Sequence, residues 1–253
     1  MTRNTSRSTA PEAEATATPS TPKRRVVHTA TRMTKSGPEL VIKNAERTRA
    51  EIIEVATKEF SQRGYSGGRI NEIAERTRTS KRMIYYYFGG KEGLYRAVLF
   101  EHYRRLRAND RAAGLEEIPP LEALAKLTRL TFDWYVDNAD EVPLVMVENI
   151  HHARHIRSTP DIGSLNSTAI ELVRCVYERG VEQGVMRPGL RPIDIYLIIA
   201  STSFFNVSNR YTFQAIFAHD MGAKEEVAHH REALVDTVLR YVAVDPGRNP
   251  PKA

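Results

Sequence analysis

From about residue 44 to residue 242, apolar side chains recur at intervals of three and four, and no stretch sustains every-second-residue alternation. That pattern predicts an all-α fold, because it is the only regular arrangement that gathers such residues onto one buried face. Ile52, Ile53, Ala56 and Phe60 share one side of a helix expected over about 44–63, with Gly64 placed to end it. A short helix over about 71–77 turns Ile70, Ile73 and Ala74 inward. A third covers 81–88: the Ser80 hydroxyl can accept a free backbone N–H at its start, and Gly89 and Gly90 stop it. Lys91 opens a longer helix to about Asn109. Five more patterns follow, over 121–136, 144–156, 164–183, 193–208 and 224–242. Prolines 119, 120, 143, 160, 188 and 192 and glycines 114, 163, 184 and 189 separate them.

The flanks differ. Residues 1–43 are rich in Thr, Ser, Ala and Pro with scattered cations and no aliphatic run, which predicts a disordered basic tail, and 245–253 form a second tail. Charge follows the same division. Residues 1–43 carry eight Lys or Arg against three acids, residues 44–107 carry fourteen against eight, and the remainder carries fifteen against twenty. A basic first half ahead of an acidic second half suits a chain of which one part approaches phosphates and the other does not.

Several function classes fall away. The chain has neither a G-x-S-x-G elbow, an H-E-x-x-H helix, a phosphate-binding P-loop nor a dinucleotide fingerprint, so it reads as a non-enzyme without a cofactor. Its one cysteine, Cys175, cannot form an intrachain disulfide and is expected to be a buried, inert thiol beside Leu172, Val173 and Val176. A reducing cytoplasm is the expected location, and no stretch of about 20 apolar residues offers a membrane span.

The run IAERTRTSKRMIYYYFGGKEGLYRAVL, residues 73–99, preceded by EIIEVATKEFSQRGY, resembles the DNA-binding domain of the TetR (tetracycline repressor-like) family. The matching elements are Ile73-Ala74, Ser80, the run from Ile84 to Phe88, and Lys91-Glu92 followed by Leu94. Ile84 and Phe88, one turn apart, can pin the third helix while Lys81, Arg82, Met83, Tyr85 and Tyr87 project around the rest. Lys81 and Arg82, early in that helix, suit guanine edges in the major groove of a double-stranded operator; Met83 suits a thymine methyl. The resemblance implies that Tyr85, Tyr87 and Lys91 clamp phosphates, with Arg69 and Asn71 as additional contacts, whereas Tyr86 is expected to pack. Two residues depart from the family pattern: Arg69 replaces a capping hydroxyl, and Arg78 replaces a turn glycine, which in a left-handed conformation costs about 1–2 kcal/mol.

The same resemblance implies that residues 44–90 form a helix-turn-helix domain and 91–244 a regulatory domain with a small-molecule effector, whose last two helices pair in a homodimer. The run Ile193–Ala200 is apolar nearly all round, and Val227, Leu234, Val238 and Tyr241 stripe the last helix. Trp134, Phe204, Phe205, Asn206, Asn209 and Arg210 combine aromatic walls with polar handles and are the expected ligand-binding residues. Glu148, His151, His152 and His155 fall at helical spacing that can suit a metal, but histidines so placed are commonly satisfied by hydrogen bonds, and no metal site is assigned. The carboxyl half is similar to the subgroup containing the pyrimidine-utilisation regulator, a likeness of architecture that names no effector. The function implied is a ligand-responsive repressor; an architectural DNA-binding protein indifferent to sequence is the alternative.

Overall fold

A computed structural model describes residues 38–111 and 114–244; both expected tails lie mostly outside them. In chain order the helices are α1 (Pro38–Gly67), α2 (Ile70–Arg76), α3 (Lys81–Phe88), α4 (Lys91–Arg111), α5 (Pro120–Asp137), α6 (Val142–Ile150), α7 (Arg154–Arg157), α8 (Pro160–Glu182), α9 (Pro192–Ser208), α10 (Arg210–Phe217) and α11 (Lys224–Val242). A 3₁₀ turn, Ala139–Glu141, leads into α6, and there is no strand among the described residues. α1 begins at Pro38, so the end of the stretch assigned to the tail is helical, and it bends at Gly64, whose φ of 65° only glycine adopts without strain. Prolines open α5, α8 and α9 at positions whose N–H would have no helical partner anyway.

Two buried clusters hold the fold. The first joins Ile52, Ile53, Ala56 and Phe60 of α1 to Ile73, Ile84, and Leu94, Tyr95, Val98 and Leu99 of α4, and takes in Leu144 and Ile162 from later helices. The second is built from α5, α8, α9 and α11 around Leu124, Phe132, Val173, Ile195, Ile199, Leu234 and Val238. α4 packs against α1 and α3 at one end and against α5 and α8 of the second cluster. The stripe on the last helix therefore serves its own chain's core: Leu234 and Val238 are buried there, with Val227 and Tyr241 packed against it.

Three elements depart from expectation. The helix expected over 144–156 is broken, because His152 and Ala153 take left-handed conformations between α6 and α7. The buried Glu148 carboxylate explains the break. It accepts the N–H groups of His155 and Ile156, at 3.1 and 3.3 Å, and so caps the returning turn. α10 was not anticipated, because Tyr211, Ile216 and Phe217 face solvent and leave no inward stripe to read. Cys175 is exposed, contrary to expectation: α8 buries Ala169, Val173, Val176, Tyr177 and Gly180, and Cys175 lies off that face.

Candidate nucleic-acid interface

α3 is set by its ends and its underside. The Ser80 hydroxyl accepts the Met83 N–H at 3.2 Å, and Gly89, with φ 73°, turns the chain out of the helix. Gly93 then lets α4 start close behind: any Cβ there would run into the Phe88 carbonyl. Ile84 is fully buried, while Tyr87 and Phe88 are partly buried against the same core. These three fall at i, i+3 and i+4, one helical face. The opposite face presents Lys81, Arg82, Tyr85 and Tyr86, the two tyrosines 54% and 78% exposed, with Met83 at the margin. Among the described residues neither Lys81 nor Arg82 has an ion-pair partner, so both charges are free for a ligand.

The tyrosines thus exchange parts. Tyr86, expected to pack, is the most exposed of the run, its ring set edgewise to Tyr87 with centroids 5.4 Å apart. Tyr87, expected on phosphate, leans into the core beside Phe88. Lys91 is also engaged: its Nζ donates to the Ser66 carbonyl at 3.1 Å and lies 5.0 Å from the Tyr65 ring centroid. It fastens the α1–α2 turn to the start of α4, and a phosphate contact would have to share the ammonium with that carbonyl.

α2 is held from a distance. Arg69 provides no side-chain cap; instead its backbone N–H donates to Glu59 Oε1 on α1 at 3.2 Å. The Glu59 side chain is 3% exposed, with Arg63 and Arg76 nearby at 3.5 and 3.7 Å. Nothing in the sequence singled out this glutamate. Arg69 and Asn71 are exposed at the start of α2, and Arg78 takes a left-handed conformation with φ 51°.

The expected ligand-binding residues do not converge. Trp134 is buried edge-on to His102, at 5.0 Å; Phe204 meets Tyr135; Phe205 is exposed and meets Phe213. Asn206 faces His230, the Asn209 amide donates to Ser208 Oγ, and Arg210 stacks on Tyr211. Successive helical residues point about 100° apart, so neighbours on α9 cannot line one wall. Only Arg210 borders the large groove, about 1140 Å³, that lies between α1 on one side and α6 and α10 on the other.

Two polar centres that sequence reasoning missed lie along α4. Arg107 donates to Asp110 Oδ2 at 2.5 Å and to the Tyr196 hydroxyl at 3.0 Å, deep between α4, α5, α8 and α9. A void of about 10 Å³, room for one water, adjoins them, and Arg107 Nε and Asp110 Oδ1 are buried with no hydrogen-bond partner among the described residues. Burial pushes the Asp110 carboxyl up, further than Arg107 pulls it down. Burial also pushes the Tyr103 phenol up to about 12, with Tyr196 adding to it. Nearer the DNA side, Glu141 pairs with His102 Nδ1 at 2.9 Å and with Arg105 at 2.6 Å. Burial opposes its charge, but the hydrogen bonds from His102 and Arg105 outweigh it and hold the carboxyl below its ordinary range.

The four residues weighed for a metal are separated too. Glu148 Oε1 pairs with His155 Nδ1 at 2.7 Å, and the His155 ring packs 4.5 Å from Tyr65 and 4.9 Å from Tyr95, whereas His151 and His152 are outside that packing. The pair joins α6 and α7 to the DNA-reading end of the molecule, and His151 and His152 stand apart from it.

Comparison with known proteins agrees with this arrangement. The profile of bacterial regulatory proteins of the tetR family matches residues 52–98, and that of the tetracyclin repressor-like C-terminal domain matches 120–238. The repressor NicS of Pseudomonas putida is 34% identical over 196 residues, 78% of this chain and 92% of that protein.

The chain belongs to the TetR family.

Another member, the regulator RutR of Escherichia coli K12, is 31% identical over 161 residues, 61% of this chain and 71% of its own. A solved TetR-family regulator from Rhodococcus RHA1 has the same fold at 20% identity, with a TM-score of 0.61 over 79% of this chain and 99% of that one. FadR of Bacillus subtilis, solved in complex with stearoyl-CoA, gives 0.57 at 18% identity over 74% and 97%. The chain is accordingly a helix-turn-helix transcription regulator, with α2 and α3 as its helix-turn-helix.

Proposed function

We propose that this TetR-family chain works as a cytoplasmic, non-catalytic homodimeric repressor that grips a two-fold operator with α3 and releases it when a small molecule binds its regulatory helices. The observation that carries the DNA part is the division of α3 into a face pinned by Ile84, Tyr87 and Phe88 and a face of unpaired cations and exposed tyrosines. Such a helix fits the major groove, with Lys81 and Arg82 on base edges and Tyr85, with Ser80, Met83, Arg69 and Asn71 around it, on flanking bases and phosphates. Exposed Tyr86 joins that set, and Tyr87 acts mainly by packing.

The dimer reading rests on α9. Ile193, Leu197 and Phe205, four and then eight residues apart, are exposed on one side of α9 with Ser201 between them, a largely apolar ridge that a second copy would cover. The effector reading rests on the C-terminal domain that the chain shares with the family and on the groove of about 1140 Å³ between α1, α6 and α10, which has room for a small molecule where the void beside Arg107 holds one water. Two relatives agree with the repressor and effector readings: NicS is a repressor, and FadR was solved with stearoyl-CoA.

Binding by Arg82→Ala and Tyr85→Phe variants tests the assignment. Arg82→Ala should relax preference at particular base pairs, by about 1–3 kcal/mol, and Tyr85→Phe should weaken all duplexes alike. Equal losses on specific and random duplex for Arg82→Ala would refute its role as a reader.

A further inference from the structure

The connection between α10 and α11 holds a cluster that the DNA and effector readings leave unused. Ala218, left-handed with φ 53°, turns the chain at the end of α10 and delivers His219 to the side of α11. There it meets Glu226 and His230, which are one helical turn apart. His219 Nε2 lies 3.3 Å from Glu226 Oε2, and His230 Nε2 lies 3.7 Å from the same oxygen. One ligand atom from each residue can be chosen so that all three lie within 4.8 Å of one another, and all three residues are half-buried, open to entry from solvent.

Asn206 adds an independent observation. It is buried on α9, and its amide oxygen lies 2.8 Å from His230 Nδ1. An amide oxygen only accepts, so Nδ1 carries the hydrogen, and in the neutral ring the lone pair is left on Nε2, the atom that faces Glu226. A hydrogen bond that fixes one ring nitrogen while the other faces a second histidine and a carboxylate is the arrangement metal-binding imidazoles use. The distances agree. With metal–ligand bonds of about 2.0–2.1 Å in a tetrahedron, ligand atoms stand roughly 3.3 Å apart, close to the two separations from Glu226, 3.3 and 3.7 Å. The neighbouring Asp220 is occupied, accepting the Gly222 N–H at 2.9 Å.

We infer that His219, Glu226 and His230 form a site for a divalent transition metal ion, zinc(II) by ligand type, that ties the end of α10 to α11. Two imidazoles and one carboxylate select zinc over magnesium, which prefers oxygen ligands in an octahedron. Three protein ligands leave one position for water or an added ligand. The tie matters for placement because α10, through Arg210 and Tyr211, borders the groove against α1.

The test uses the full chain, free of any affinity tag and stripped with a chelator, titrated calorimetrically with zinc chloride or magnesium chloride. One zinc ion per chain should bind, with no saturable magnesium binding at equal concentration. Glu226→Gln and His219→Ala, which change half-exposed positions, should each lose that zinc event while their unfolding midpoints without metal stay near the parent's. His151→Ala, an exposed histidine elsewhere, should keep it. Zinc should also slow amide exchange by at least tenfold over residues 210–219 in the parent and not in the variants. The site is overturned if no stoichiometric zinc binding occurs or if both variants bind as the parent does; the tie is overturned if zinc binds but exchange over 210–219 is unchanged.

Discussion

Replacing Glu59 separates the two jobs its carboxylate does. In Glu59→Gln the amide oxygen can still accept the Arg69 N–H, so only attraction to Arg63 and Arg76 is lost. Those partners are 47% and 45% exposed, at 3.5 and 3.7 Å, and pairs so solvated contribute up to about 1 kcal/mol in total. In Glu59→Ala the acceptor itself goes. The Arg69 N–H then loses its only side-chain partner, a loss of about 1–3 kcal/mol, and the emptied space in a side-chain site only 3% exposed adds to it. The expected order is parent, then Gln lower by about 0.5–1 kcal/mol, then Ala lower by about 2–4 kcal/mol. Urea unfolding followed by circular dichroism reads the midpoints, and a shared slope shows that stability alone has changed. Equal midpoints for Gln and Ala would refute the cap and leave Glu59 as a charge partner only.

Two further outcomes follow from the same structure. Tyr87→Ala should lower stability by on the order of 2 kcal/mol, since it empties part of the first core, whereas Tyr86→Ala should stay within about 0.5 kcal/mol and lose operator affinity instead; the reverse pattern in parallel denaturation and gel-shift series would contradict the orientation of α3. Glu141→Gln should lose acid sensitivity. Because the folded carboxyl lies below its ordinary range, its stabilisation is complete above the unfolded value of about 4.3 and disappears as pH falls through the folded value. The midpoint gap between parent and variant should therefore be largest near neutrality and close as pH falls below the ordinary carboxylate range, while Asp110, present in both proteins, cancels; a gap that does not change with pH would refute this.

What could be read from sequence was whatever periodicity and capping govern. α3 and α11 start and stop at the expected residues because Ser80, Gly89 and a regular apolar stripe leave little choice. The exposed position of Lys81 and Arg82 followed from Ile84 facing inward. Tyr86 and Tyr87 were exchanged because adjacent residues differ by about 100° and aromatic character does not say which one packs. The break after α6 depends on a buried carboxylate reaching back from Glu148 to His155, and the Arg107–Asp110 centre depends on four helices enclosing an ordinary-looking RLRAND run. The zinc ligands come from a loop and a helix whose meeting is decided by the α10 turn. Such long-range encounters leave no local period to read.

The most direct test of the central claim is selection of bound duplexes from a random pool by the intact protein, followed by footprinting of the winners. The account predicts a two-fold symmetric site whose half-sites lie about one turn, roughly 34–36 Å, apart in adjacent major grooves, with the selection lost when Lys81 and Arg82 are both alanine. Enrichment of no sequence, or of a symmetric site that the double variant still selects, would contradict it.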